Sequence, residues 1–254
     1  MNSDSDQLDP QSDPDPNALV PIMEEAKTKS PKKSALGEIF SRAFQIYRDN
    51  PIMIVPSFIP IAVLILGLVI FAGYVGLIAV FGEEGLVAFS VVAGLFLFLI
   101  LMIVLFFLAE GMTIEMIREA STGNKADLSR AWKATSAKME PLVLTSLLAG
   151  IIVALGYVLF LIPGLILSFA FWFVAQTVMI DGKSGTQALK ASYRFVEANL
   201  SDALIVVLVS LAISAVLPAI PFIGALASLL SLPYIYGLAT LLYLDGKEGQ
   251  EDLG

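Results

Sequence analysis

From Pro141 to Ile180 the chain runs for forty residues without an Asp, Glu, Lys or Arg. At a helical rise of about 1.5 Å per residue, one helix of that length would reach about 60 Å, twice the roughly 30 Å hydrocarbon core of a bilayer. The run therefore has to turn back, and its only adjacent breakers stand at Phe160-Leu161-Ile162-Pro163-Gly164. The reading is a transmembrane hairpin. A soluble core could absorb such a run only with protein on every side, which a chain carrying further runs like it cannot supply.

Those further runs give the remaining spans. Asn50-Pro51 opens an uncharged stretch to Gly82, with Pro56 and Pro60 expected to kink or break its beginning, and Gly82-Glu83-Glu84-Gly85 turns the chain. A second span should continue beyond the membrane through Met112, Met116 and Glu119 to a stop at Ser121-Thr-Gly-Asn124. Ala203 to Leu244 supplies forty-two uncharged residues, divided between Pro218 and Gly224. The expected fold is all-α, a polytopic integral membrane protein with six transmembrane helices over about 52–81, 86–109, 141–161, 164–180, 203–219 and 222–244. They lie within a membrane domain at 35–245, between tails at 1–34 and 246–254.

Composition agrees: 57% of residues are apolar and 15% charged, against about 45–50% and 25% in soluble domains. The net charge of −8 sits almost wholly in the first twenty-five residues, whose seven acids and no bases leave −1 for the remainder. The 1–34 tail, acidic and then basic, is expected to be disordered, with no secretory signal. With no Cys and no His, the chain lacks a thiolate nucleophile, the commonest general base and the commonest transition-metal ligand. No catalytic residue, metal site or cofactor is expected, and no nucleic-acid partner.

The fifteen Lys and Arg all fall before span one, between spans two and three, between spans four and five, or after span six. The other three connections carry none. The positive-inside rule then puts both termini in the cytoplasm of a multi-pass cell-membrane protein.

Three short segments precede the odd-numbered spans. In the first, Ile39, Phe40, Ala43, Phe44 and Tyr47 form an apolar face opposite Glu38, Arg42, Gln45 and Arg48, the pattern of a helix lying along an interface or packed on its own bundle. Phe40, Ala43, Phe44 and Asn50 recur at the same spacing as Leu128, Ala131, Trp132 and Lys138, and as Leu189, Ser192, Tyr193 and Asn199. The chain reads as three units, each an amphipathic interfacial helix feeding a hairpin. Phe44, Trp132 and Tyr193 are the expected anchors of a collar of such helices, each buried at the headgroup level or against the bundle and supplying about 2–4 kcal/mol of packing. Lys32, Lys33, Arg42, Arg48, Arg130, Lys133, Lys190 and Arg194 are the candidate lipid-facing bases, opposite anionic lipid.

Other motifs have plainer readings. Gly182-Lys183-Ser184 resembles a phosphate loop, but the earlier glycine is replaced by Thr177. Ser184 with Gln187 reads instead as a capping box. Ser146, Gly150 and Ala154, Ser90 with Gly94, and Ser210 with Ser214 would let helices approach closely, within the bundle rather than between copies. Gln176, Thr177, Tyr74, Tyr157, Tyr234 and Tyr236 are the notable polar groups near or within spans, and no charge is expected well inside one, which weighs against ion-coupled transport.

The Ile162-Pro-Gly-Leu turn, the stretch Met179-Ile-Asp-Gly-Lys-Ser-Gly-Thr-Gln-Ala-Leu-Lys-Ala-Ser-Tyr-Arg-Phe-Val-Glu-Ala-Asn199 and the ending Thr240-Leu-Leu-Tyr-Leu-Asp-Gly-Lys-Glu-Gly249 resemble the membrane domain of glycerophosphoryl diester phosphodiesterases and the related YciC-like membrane proteins. The likeness runs from about Leu36 to Gly249. It implies a fold more than an activity, since these families are largely of unknown function and the hydrolase of the fused proteins is a separate soluble barrel, which is not expected here. The functional expectation is a non-enzymatic, lipid-associated scaffold or accessory protein with the lipid bilayer as partner. The alternative is a permease for an uncharged or amphipathic solute.

Overall fold

The computed structural model describes residues 36–81 and 84–251, with side chains over 36–77 and 89–248. Lys32, Lys33 and the expected disordered tail at 1–34 lie outside the described residues. Within them, all regular structure is helical. Helix α1 covers Leu36–Asp49, and a 3-10 turn at Pro51–Ile54 leads into α2, Val55–Phe81. Then come α3 (Glu84–Ser121), α4 (Leu128–Ala137), α5 (Met139–Leu159), α6 (Leu161–Ala170) and α7 (Val174–Met179). The chain finishes with α8 (Gly185–Ala198), α9 (Leu200–Val216), a 3-10 turn at Leu217–Ala219 and α10 (Gly224–Glu251).

Six stretches are long and apolar enough to cross a bilayer: Pro51–Leu77, Phe89–Ser121, Met139–Leu159, Leu161–Met179, Leu200–Ala219 and Gly224–Glu248. Their boundaries follow local chemistry. Pro56 occupies the first turn of α2, where a missing N–H leaves no bond unmade, and Pro60 lies inside the helix. The central hairpin turns at Phe160, whose extended backbone (φ −162°, ψ 152°) separates α5 from α6. Pro163 therefore stands in the first turn of α6 rather than at the bend, and Gly164 serves contact: its backbone lies so near Gly156 that a Cβ there would meet the Gly164 Cα at 3.1 Å.

The fourth span is not one helix. It breaks at Phe171–Phe173, with no proline or glycine to mark the place. The carbonyl of Ala170, released where α6 ends, accepts a 2.8 Å hydrogen bond from the buried Ser192 hydroxyl of α8. A neighbouring side chain thus completes the backbone bonding that a continuous helix would have made internally.

Each of α1, α4 and α8 packs on the last helix of the preceding hairpin: α4 on α3, α8 on α7, and α1 on α10. The order closes on itself. In all three units the small residue of the repeated pattern is the one the bundle covers. Ala43, Ala131 and Ser192 are 2%, 0% and 0% exposed, whereas the adjacent Phe44, Trp132 and Tyr193 are 56%, 51% and 51% exposed. A small side chain lets the helices approach, and the aromatic is left free of the bundle. After each helix a residue with non-helical backbone redirects the chain: Asn50, Lys138 and Asn199. Asn50 and Asn199 do it alike, each Nδ2 donating to the carbonyl four residues earlier.

The packed core lies in the halves of the spans nearest these helices, where Ile39, Met53, Met112, Met116, Phe173, Phe195, Leu238, Leu241 and Tyr243 come together. Glycines set the close crossings there. A Cβ on Gly111 would stand 2.6 Å from the Thr135 methyl of α4, one on Gly246 2.8 Å from the Phe195 ring of α8, and one on Gly237 3.5 Å from the Ala43 Cβ of α1. The far halves of the spans expose their large apolar side chains, among them Val69, Phe96, Val158 and Val216. The row Ser146, Gly150 and Ala154 meets no helix closely: with Pro60, Leu64 and Phe106 it lines an apolar groove of about 620 Å³. Ser210 is buried and donates back to the Val206 carbonyl, while Ser214 is exposed.

Candidate functional site

The end of the molecule that carries α1, α4 and α8 also carries its bases, and one depression gathers four of them. It begins at the turn between α7 and α8, where Gly182 and Gly185 have φ of +67° and +54°, left-handed values that side-chain-bearing residues rarely adopt. These angles tuck Asp181 beneath the turn, its side chain only 5% exposed. Such a buried carboxylate needs donors. It has three: Oδ2 accepts from Tyr243 Oη at 2.9 Å and Lys183 Nζ at 3.0 Å, and Oδ1 accepts from Lys247 Nζ at 3.0 Å. Burial would push the Asp181 carboxyl up, but the hydrogen bonds from Lys183, Lys247 and Tyr243 outweigh it and hold the carboxyl below its ordinary range.

The turn is thereby tied to α10. The tie rests on an aromatic floor: Phe195 lies 4.8 Å from Phe173 and 4.7 Å from Tyr243, centroid to centroid. The wall is one face of α8, where Gln187, Lys190, Ala191 and Arg194 follow at helical spacing and enclose, with Lys183 and Lys247, a depression of about 530 Å³. Four cations and one carboxylate leave it three positive charges. Asp181 already engages Lys183 and Lys247, while Lys190 and Arg194 form no ion pair among the described residues. Such an arrangement can hold an anion.

On the other side of the same ridge, Phe171, Leu189 and Tyr193 line a largely apolar groove of about 400 Å³, which Thr186 and Glu197 also border and which shares Lys190 and Arg194 with the basic depression. A polar seat and an apolar trough thus meet along two cationic side chains.

The remaining sequence-selected bases are dispersed. Arg42, expected on the outer face of α1, turns inward to grip both Asp245 oxygens at 3.0 and 2.9 Å. Arg130 pairs with Glu119 at 3.3 Å, Arg48 pairs with its neighbour Asp49, and Lys133 is exposed on α4. Only Lys190 and Arg194 of the selected set enter the depression. Asp181, Lys183, Tyr243 and Lys247 were missed by the sequence reading. A signal was available: Asp-Gly-Lys occurs at 181–183 and again at 245–247, ending the second and third hairpins, and each aspartate binds a base from another unit.

The capping box does not form. Ser184 occupies the N-cap of α8, but its side chain makes no cap bond, and the Gly185 N–H goes to the Thr145 hydroxyl at 2.8 Å. A capping side chain does occur at α4, where Asp127 accepts from the Arg130 N–H. The second span's helix continues past its uncharged run, as its period suggested. Glu110 and Glu115 both lie inside the continuous helix α3, with Glu115 buried and paired to Arg118. Gln176 is buried with its Oε1 unpartnered.

Residues 132–243 match the family model described as Domain of unknown function (DUF7847). The match begins at Trp132 of α4 and ends at Tyr243 of α10, so it takes in the second and third units and most of the basic depression. No curated protein and no solved structure matches the chain.

Proposed function

We propose that the chain is a non-enzymatic six-span protein of the cell membrane, with both termini cytoplasmic, that holds anionic lipid at the ring of α1, α4 and α8. The observation that carries this reading is the pairing of exposed aromatics with bases at one end of the bundle: Phe44 with Arg48, Trp132 with Lys133, Tyr193 with Arg194. Amphipathic rings beside cations are suited to the headgroup layer, where the positive-inside rule puts such an end in the cytoplasm.

The carboxylates support a structural rather than a chemical role. Asp181, Glu115 and Asp245 are each occupied by bases of the chain itself, and no group of three potential metal ligands gathers among the described residues. A permease would need a polar route through the bundle, for which buried Gln176 offers little support. The resemblance to the membrane domain of glycerophosphoryl diester phosphodiesterases is compatible with a scaffold that works at the bilayer.

The test is lipid retention. Protein purified from membranes in nonionic detergent should carry anionic phospholipid in excess of its share of the membrane, and raising salt should strip the excess. Retention that mirrors bulk composition at every salt concentration would refute the reading.

A further inference from the structure

The three units differ where the basic depression lies. Aligned on their aromatics, the positions of Lys190 and Arg194 are Ser41 and Gln45 in α1, and Ser129 and Lys133 in α4. The packing role of these helices rests on Ala43, Ala131 and Ser192 and is filled in all three units. The paired bases at four-residue spacing are therefore not what builds the fold, since α1 and α4 are seated without them.

Resting on the lipid-holding function proposed above, we infer that α8 carries one discrete site for a phospholipid of net negative headgroup charge, with the phosphate against Lys190 and Arg194 and the acyl chain beside Phe171 and Tyr193. The depression on one side of the ridge has three net positive charges, its one carboxylate being saturated by Lys183, Lys247 and Tyr243. A phosphate entering from the depression therefore meets the two bases with no unsatisfied anion on that side, and the exposed carboxylate of Glu197, on the trough side, is the one acid beside them. The trough on the other side is largely apolar, with Glu197 at its border, and touches the same two bases. Phe171, at its far end, belongs to the fourth membrane-crossing stretch. Headgroup and chain of one amphiphile thus have adjoining seats, which a soluble phosphate would half fill.

The experiment uses the full chain in nonionic detergent with phosphatidylglycerol, phosphatidylcholine or glycerol 3-phosphate added separately, and counts bound molecules by native mass spectrometry. One phosphatidylglycerol should be retained in preference to phosphatidylcholine. Lys190→Gln with Arg194→Gln should weaken it by about 30-fold at an unchanged melting temperature, the product of two surface bases. The conservative exchange Lys190→Arg with Arg194→Lys should keep it. Arg48→Gln with Lys133→Gln should leave that molecule in place. If the two Gln pairs weaken retention equally, the discrete site is overturned while general lipid holding stands. If neither pair nor salt alters retention, both readings fall. Tyr193→Ser should weaken phosphatidylglycerol and spare glycerol 3-phosphate, and glycerol 3-phosphate binding as tightly as the lipid would overturn the amphiphile.

Discussion

The Ser192 hydroxyl of α8 donates to the carbonyl of Ala170 at the point where α6 stops, 22 residues away in the chain. Alanine occupies the same place in the other two units, at 43 and 131, where no broken helix needs a donor. Ser192→Ala should therefore destabilise the protein by about 1–3 kcal/mol, the desolvation of a buried carbonyl left unpaired. Ala131→Ser would bury a hydroxyl in a fully covered position and should also destabilise. Thermal unfolding in detergent compares them, and a Ser192→Ala protein as stable as the parent would remove this account of the break.

Glycine crossings make a second test. Gly111→Val and Gly246→Leu must displace Thr135 and Phe195 respectively, and each should lose about 1–3 kcal/mol through overpacking. Gly73 and Gly76 have open space where a Cβ would go. Gly73→Ala should be neutral or gain a few tenths of a kcal/mol to about 1 from the reduced freedom of the unfolded chain. The same melting assay should separate the two groups.

Asp181 sets a pH dependence with a definite sign. Its folded carboxyl is held below the ordinary value of 3.8, through the hydrogen bonds that outweigh its burial. A depressed carboxyl contributes stability above the unfolded value, and that contribution disappears as pH falls through the folded value. The difference in melting temperature between the parent and Asp181→Asn should hold from pH 7 to about 5 and shrink below about pH 4. A gap that widens on acidification would contradict the hydrogen-bonded carboxylate.

Sidedness is open to labelling because the chain contains no cysteine. Cysteine introduced at Glu83 should react with an impermeant thiol reagent in intact cells, and cysteine at Glu248 only after permeabilisation. Glu248 suits this better than Asp245, whose carboxylate is engaged by Arg42. Reaction at 248 alone would invert the proposed orientation.

Charge-free runs of forty residues carry their meaning openly, because burying or spanning is decided by the chain's own composition; the six apolar stretches were legible for that reason. The period of α1, α4 and α8 was legible too, since Phe40, Leu128 and Leu189 recur at one spacing. What each position does was not. The sequence reading left Phe44, Trp132 and Tyr193 to lie either at the headgroup level or against the bundle; the bundle covers the small residue beside each of them, and size alone does not tell which neighbour faces it. In detergent, Trp132→Ala should accordingly lose less than Ala131→Leu, whose added bulk should cost about 1–3 kcal/mol. The break at Phe171–Phe173 was illegible because the donor that completes its backbone bonding, Ser192, lies on another helix. The basic depression was half legible: Lys190 and Arg194 share a helical face, but Lys247 reaches Asp181 only through the fold.

The order in which α1 seats on α10, α4 on α3 and α8 on α7 means that no unit is first. A ring of this kind can be opened at any joint. A rearranged gene starting at Lys125, running to Gly249 and continuing through a flexible linker into Leu36 to Asn124, should encode a protein with the same helices, the same crossings at Gly111 and Gly237, and the Arg42 to Asp245 pair now bridging the new joint. Beginning and end, in this molecule, are properties of the gene rather than of the architecture.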